Sequence, residues 1–199
     1  MSENLLWGLI CMEYSHKLHG RRSIRLKEYD YSSPGAYFVT ICTYNRKCFF
    51  GNVRDVRLIL SAVGRKAKTF FREIPEHFEN ITLDEYVVMP NHLHGIIVIQ
   101  NVGVQNFEPL QRHNAFQHLV PKSLGSVIRT YKSMLTRWCR INGHRYFKWQ
   151  RNYYEHIIRD EDDLNKIREY IQNNPLEWHL DIENPKAVAK DKQEGKSLW

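Results

Sequence analysis

The chain has 199 residues, 42% hydrophobic and 26% charged, the proportions of a soluble globular protein with room for one sizeable core. Lys and Arg number 29 against 22 Asp and Glu, a net +7 that favours polyanionic partners, and the 13% of aromatic residues offers rings on which unpaired bases can stack. The four cysteines, Cys11, Cys42, Cys48 and Cys139, form no C-x-x-C pair, which argues against a zinc ribbon or a disulfide framework and fits a reducing cytoplasm; no run reaches the ~18 apolar residues of a membrane span.

Along the chain, "NLLWGLIC" near the start is apolar but has no basic region before it and no small-residue cleavage site, so it reads as a packing segment rather than a signal peptide. Residues 1–35 read as a basic arm, 36–180 as one domain and 181–199 as a loose polar tail. "AYFVTICTYN" (36–45) is rich in β-branched and aromatic residues and predicts a strand. The spacing of apolar residues over 55–74, with Pro75 just beyond, predicts a helix. Residues 81–89 and 92–100 predict two strands joined at Pro90-Asn91, and 101–121 lacks periodicity. A helix is expected over 122–142, with Ser123 as N-cap and Gly143 as its stop. An extended stretch follows over 146–159, broken near Asn152. The last helix, 160–174, has Asp160 as its cap, acids in its first turn and Pro175 after its end. The order β-α-β-β-α-β plus one helix is the split-βαβ order of an α+β, ferredoxin-like fold, with the first and third strands central and the first two helices on one face.

The third strand begins His92-Leu93-His94. Side chains alternate along a strand, so both imidazoles point to one face, about 7 Å apart along the backbone, and can converge on one metal ion. The alternative is a pair of half-buried histidines satisfied by backbone or water. In the last helix Leu164, Ile167 and Ile171 form the core stripe, while Tyr170 and Asn174, four residues apart, share another face. A packed tyrosine and a helix-closing asparagine are the plain reading of that pair. Combined with His-x-His they suggest a mechanism: His92, His94 and Asn174 hold a divalent ion, the ion polarises a phosphodiester, and Tyr170 attacks phosphorus. Free tyrosine has a pKa near 10, so the phenol needs help; Glu155 and His156 are candidate bases. Tyr131, Tyr153 and Tyr154 are rival nucleophiles. Imidazole ligation favours Mn²⁺ over Mg²⁺.

Candidate DNA contacts are Arg21, Arg22, Arg25 and Lys27 in the arm, and Arg129 and Lys132 on the cationic 122–142 helix. Lys148, Trp149, Arg151, Tyr154 and His156 alternate cations with rings, the pattern of a single-strand stacking platform. A solvated cationic face, and core packing of Trp149 and Tyr154, are the competing readings.

"VVMPNHLHGIIVI" resembles the His-hydrophobe-His (HUH) motif of single-tyrosine transposases of the insertion-sequence 200/605 type. "RRSIRLKEYDY", "GAYFVTICTYNR" and "WQRNYYEHIIRDEDDLNKIREYIQNNP" are more similar to the REP-associated tyrosine transposase branch. The resemblance spans about Arg21 to Trp178. It implies a ferredoxin-like fold, Mg²⁺ or Mn²⁺ as cofactor, and recognition of single-stranded or hairpin DNA formed by palindromic repeats. It also implies cleavage through a 5′-phosphotyrosine link with a free 3′-OH, and rejoining by reverse attack. By position His92 and His94 match the histidine ligands and Tyr170 the nucleophile. Asn174 stands where the insertion-sequence type has glutamine, one methylene longer. A cytoplasmic, nucleoid-associated protein without membrane contact is implied, as monomer or homodimer. The alternatives are a domesticated hairpin-binding protein that does not cut, and a metal-dependent nuclease that uses water.

Overall fold

The computed structural model describes residues 29–54, 57–101, 121–181, 183–185 and 187. Strand β1 (Gly35–Cys42) is followed by a 3-10 turn at Tyr44–Arg46 and a hairpin of β2 (Gly51–Arg54) and β3 (Arg57–Leu60). Helices α1 (Ala62–Arg72) and α2 (Ile74–His77) lead to β4 (Ile81–Val88) and β5 (His92–Ile99). Helix α3 (Leu124–Ile141), β6 (Tyr154–Ile158) and α4 (Glu161–Asn173) complete the order. The main sheet runs β4-β5-β1-β6 with every pairing antiparallel. This is the expected α+β, ferredoxin-like sheet, with the first strand and the histidine strand in the middle.

The helix expected from residue 55 begins at Ala62 instead. Residues 57–60 alternate exposed and half-buried, as a strand does, with Ile59 turned to solvent. Ser61 sets the boundary: its Oγ accepts the Gly64 N–H at 3.0 Å and donates to the Phe49 carbonyl at 2.8 Å. The other caps stand where the sequence places them. Ser123 accepts the Ser126 N–H on α3, Asp160 accepts the Asp163 N–H on α4, and Gly143 follows α3 at φ 83°. Around Asn152 the chain is irregular; only Trp149, bridged to Thr43, pairs ahead of β6.

The sheet separates two apolar clusters of unequal size. On one face Tyr37, Val39, Ile41, Leu93, Ile97 and Ile99 pack with Phe71 of α1 and with Val127, Tyr131 and Leu135 of α3. On the other, Phe38 and Ile96 pack with Ile167 and Ile171 of α4. His92 and His94 alternate with Leu93, so they fall on the α4 face. Beyond α4 the expected loose tail is corrected at its start: Asp181 and Asn184 are buried, and Glu183 forms an ion pair with Arg46.

Candidate metal and tyrosine centre

β5 opens at the sheet rim, where Cys42 of β1 lies opposite His92 and Thr40 opposite His94. Both imidazoles are buried, and their ring centroids are 4.3 Å apart. Each ring is held at Nδ1: His92 by Asn91 Oδ1 at 2.9 Å, His94 by Thr40 Oγ1 at 2.9 Å. An amide oxygen can only accept, so His92 carries its proton on Nδ1 and turns the Nε2 lone pair to the site. The same tautomer on His94 lets its Nε2 accept from the Tyr170 hydroxyl at 3.3 Å. Phe38 stacks on the His94 ring at 5.3 Å and meets Tyr170 edge-on at 6.1 Å. The helix dictated by the 164, 167 and 171 stripe thus brings Tyr170 to the histidines.

The acidic group that closes on the pair is Asp181. One ligand atom from each of His92, His94 and Asp181 lies within 4.8 Å of the others, and all three residues are buried. Asp181 Oδ2 is 3.6 Å from His92 Nε2. Asn174, expected as the third ligand, is buried beside it and hydrogen-bonds the Asp181 carboxylate. His92 Nε2, Asp181 Oδ2 and Asn174 Oδ1 are buried polar atoms with no hydrogen-bond partner. Such atoms are costly to leave unsatisfied, and the gathering of the His92, His94 and Asp181 ligand atoms suits a cation. The two-nitrogen, one-carboxylate set fits a first-row divalent ion such as Mn²⁺.

Electrostatics agree with that donor set. Burial, with Arg46 adding to it, pushes the His92 pKa down to about 3. Burial and then the neighbouring His92 hold His94 well below its usual range, against the pull of Asp181. Both are therefore neutral, the form that ligates metal. Burial pushes the Asp181 carboxyl up, opposed by His94 and by the bond from Asn174; a bound cation would reverse that shift.

The remaining expected residues are dispersed. Arg129, Lys148 and Arg151 are exposed, and Tyr154 is half-buried on β6. Lys132 turns inward: its ammonium donates to the carbonyls of Gln150 at 2.9 Å and Asn152 at 2.8 Å, and burial lowers its pKa to about 8. Trp149 packs with Phe50, Tyr131 and Phe147 and donates its indole N–H to the Lys132 carbonyl, which is the core role. His156 is tied to Asp163 at 2.8 Å. Tyr131 is buried with its hydroxyl on the Ala67 carbonyl, and burial raises its pKa, so it is no nucleophile; Tyr153 is also buried. Arg21, Arg22, Arg25 and Lys27 lie outside the described residues. Asp181 itself escaped the sequence reading, because "WHLDIENP" follows a helix end and has no spacing that links it to a histidine strand.

The structure thus combines a ferredoxin-like sheet, His-x-His on a central strand and a tyrosine of α4 within hydrogen-bond range of the second histidine. No protein-family profile matches the chain. It is 45% identical over 172 residues to an uncharacterised protein of Haemophilus influenzae, covering 85% of this chain and 96% of that one. It is 24% identical over 153 residues to a second protein of that organism, named "Putative REP-associated tyrosine transposase", covering 74% and 73% of the two chains. Among solved structures it is similar to a REP-associated tyrosine transposase bound to a REP hairpin, with a TM-score of 0.54 and 19% identity over 77% of this chain and 74% of the other, which shows a shared fold. The shared fold and the 24%-identical relative liken the chain to REP-associated tyrosine transposases. Among the described residues no helix is long and apolar enough to cross a membrane.

Proposed function

We propose that the protein is a DNA strand transferase that cuts and rejoins single-stranded DNA at palindromic hairpins through a tyrosine. The observation that carries this reading is the Tyr170 hydroxyl 3.3 Å from His94 Nε2, beside ligand atoms of His92, His94 and Asp181 gathered within 4.8 Å. His92, His94 and Asp181 would hold the divalent ion, with the Asn174 amide oxygen beside them. When bound, such an ion acts as a Lewis acid on a phosphoryl oxygen.

The chain's own groups account for the remaining chemistry. The phenol oxygen of Tyr170 attacks phosphorus, the P–O3′ bond breaks, and the strand leaves with a free 3′-OH. The 5′ side stays esterified to Tyr170, so the bond energy is kept and the reverse attack by a 3′-OH rejoins strands. The phenolic proton must leave as that bond forms, and the 3′ oxygen must take one up. Phe38 and the α4 stripe of Ile167 and Ile171 fix the phenol over the histidines, which lowers the entropic part of the barrier. Exposed Arg129, Lys148 and Arg151 are proposed phosphate contacts, and Tyr154 a partial stacking surface; Lys132 and Trp149 are not.

The test is incubation with Mn²⁺ and a single-stranded oligonucleotide carrying a palindromic hairpin, followed by a denaturing protein gel. Wild type is expected to form a protein–DNA adduct that Tyr170→Phe lacks. Cleavage to free 5′-phosphate ends that survives Tyr170→Phe would replace this reading with a water-using nuclease. Hairpin binding with neither cleavage nor adduct would leave a domesticated binding protein.

A further inference from the structure

Asp181 comes from outside the elements that carry the other site residues. It follows α4 across an irregular stretch, yet its carboxylate is buried against neutral imidazoles. Burial there disfavours the charged carboxylate, so bonds from neighbouring segments must hold it in place. The bonds that do so meet at Asn91, which is fully buried. One amide proton of Asn91 goes to the Arg46 carbonyl at 3.0 Å and the other to the Glu183 carbonyl at 2.6 Å. Its oxygen accepts from His92 Nδ1. Every hydrogen-bonding atom of this amide is therefore committed, one to the histidine and two to the segments on either side.

Arg46 completes the ring. Its Nε lies 2.9 Å from Glu183 Oε2, and its terminal nitrogen donates to Oε1 at 3.4 Å. The Glu183 N–H then donates to Asp181 Oδ1 at 2.7 Å, leaving Oδ2 3.6 Å from His92 Nε2. Asn45 and Arg46 both sit in the left-handed region, at φ 51° and 52°, a conformation non-glycine residues avoid unless the surroundings impose it. Here it brings the guanidinium to Glu183.

We propose that Asn91, Arg46 and Glu183 form a clasp whose function is to present Asp181 together with His92 to the divalent ion. The inference rests on the metal-centre reading above. The three are positioning residues: none contacts the ion, and each acts through Asp181 or His92. Groups of this kind hold ligands in orientation, and their loss typically weakens metal binding by about 10–100-fold.

The test is titration calorimetry of Mn²⁺ into the chelator-stripped full chain, with circular dichroism confirming that each variant is folded. Wild type is expected to bind one ion per chain, and His92→Ala and Asp181→Asn to lose that binding. Glu183→Ala, Arg46→Ala and Asn91→Asp should each bind at least tenfold more weakly, with Arg46→Lys retaining part of the affinity because the cation remains. If Asn91→Asp does not fold, Glu183→Ala, nearer the surface, carries the test. Wild-type affinity in folded Glu183→Ala and Arg46→Ala, with Asp181→Asn still weak, would overturn the clasp and leave the metal centre standing. Unchanged Mn²⁺ binding in both His92→Ala and Asp181→Asn would overturn the metal centre and the clasp with it.

Discussion

His94 is held at both ring nitrogens, by Thr40 at Nδ1 and Tyr170 at Nε2, and by the stacked Phe38 ring on one face. The Thr40 bond orients the ring so that Nε2 faces Tyr170 and the site. Thr40→Val keeps the shape and removes the oxygen, so the ring loses that orienting bond. Mn²⁺ affinity should fall about tenfold, the usual effect of losing an orienting partner, while thermal stability drops by about 1 kcal/mol; calorimetry and a melt check both. The same burial gives a pH signature. In the unfolded chain both histidines take up a proton below about pH 6.5, whereas the folded site keeps them neutral, His92 down to about pH 3. The unfolded state therefore binds more protons as pH falls, and the metal-free protein should lose stability steadily below pH 6.5, by up to ~1.4 kcal/mol per pH unit for each histidine. Asp181, with its carboxyl pushed up, acts in the opposite sense: stability is lost as pH rises from its unfolded value through its folded one. Burial raises the Glu183 carboxyl likewise, so both carboxyls oppose the histidine slope, which comparison with a histidine-free variant isolates. Urea denaturation of wild type and of a His92→Ala, His94→Ala double variant should show that slope in the first and not the second.

At the scale of elements, the first turn of α1 approaches the Phe50 backbone at a glycine. A Cβ on Gly64 would lie 2.0 Å from the Phe50 carbonyl oxygen, and backbone there cannot yield cheaply. Gly64→Ala should cost about 3 kcal/mol despite alanine's better helix propensity, a sign reversal that a chemical melt reads directly. How much of this was legible in the sequence follows the range of the forces involved. The histidine strand, α3 and α4 are announced by local periodicity and by caps three residues apart, so Ser123, Asp160 and Tyr170 stand where expected. The β2–β3 hairpin was hidden because Val56, Ile59, Leu60 and Val63 fit a helical i, i+3, i+4, i+7 spacing while Leu58 and Leu60 also fit a strand; the decision falls to Ser61 bonding Phe49 and Gly64. Lys132 reads as one more surface cation, but its ammonium is satisfied by two carbonyls of the irregular segment that follows α3, outside the helix's own pattern. Asp181 was illegible for the same reason: its place depends on Asn91 and Arg46, and no pattern near residue 181 encodes them.

Over the whole molecule, the sheet divides a large core on the α1–α3 face from a small one on the α4 face, and the proposed chemistry stands on the small one. Among the described apolar residues only Phe38, Ile96, Ile167 and Ile171 are buried there. Polar ties on α4 add to this core: besides Tyr170 on His94 and Asp163 on His156, Arg168 grips Asp84 with two bonds, at 2.9 and 2.6 Å, and Gln172 reaches Glu85 at 3.1 Å, both at the irregular step of β4. Partly exposed ion pairs add little, so α4 should be the element that opens first, independently of the sheet. Ile167→Ala removes about 3 kcal/mol of packing from the small core and nothing from the large one. Hydrogen exchange should then quicken in 161–173 while amides of β1, β5 and α3 keep their protection. Adduct formation by Tyr170 should fall in the same variant, because the phenol is no longer held against His94. Uniformly faster exchange in every element would show instead that the two cores unfold as one, and that the nucleophile helix is as firmly built as the sheet beneath it.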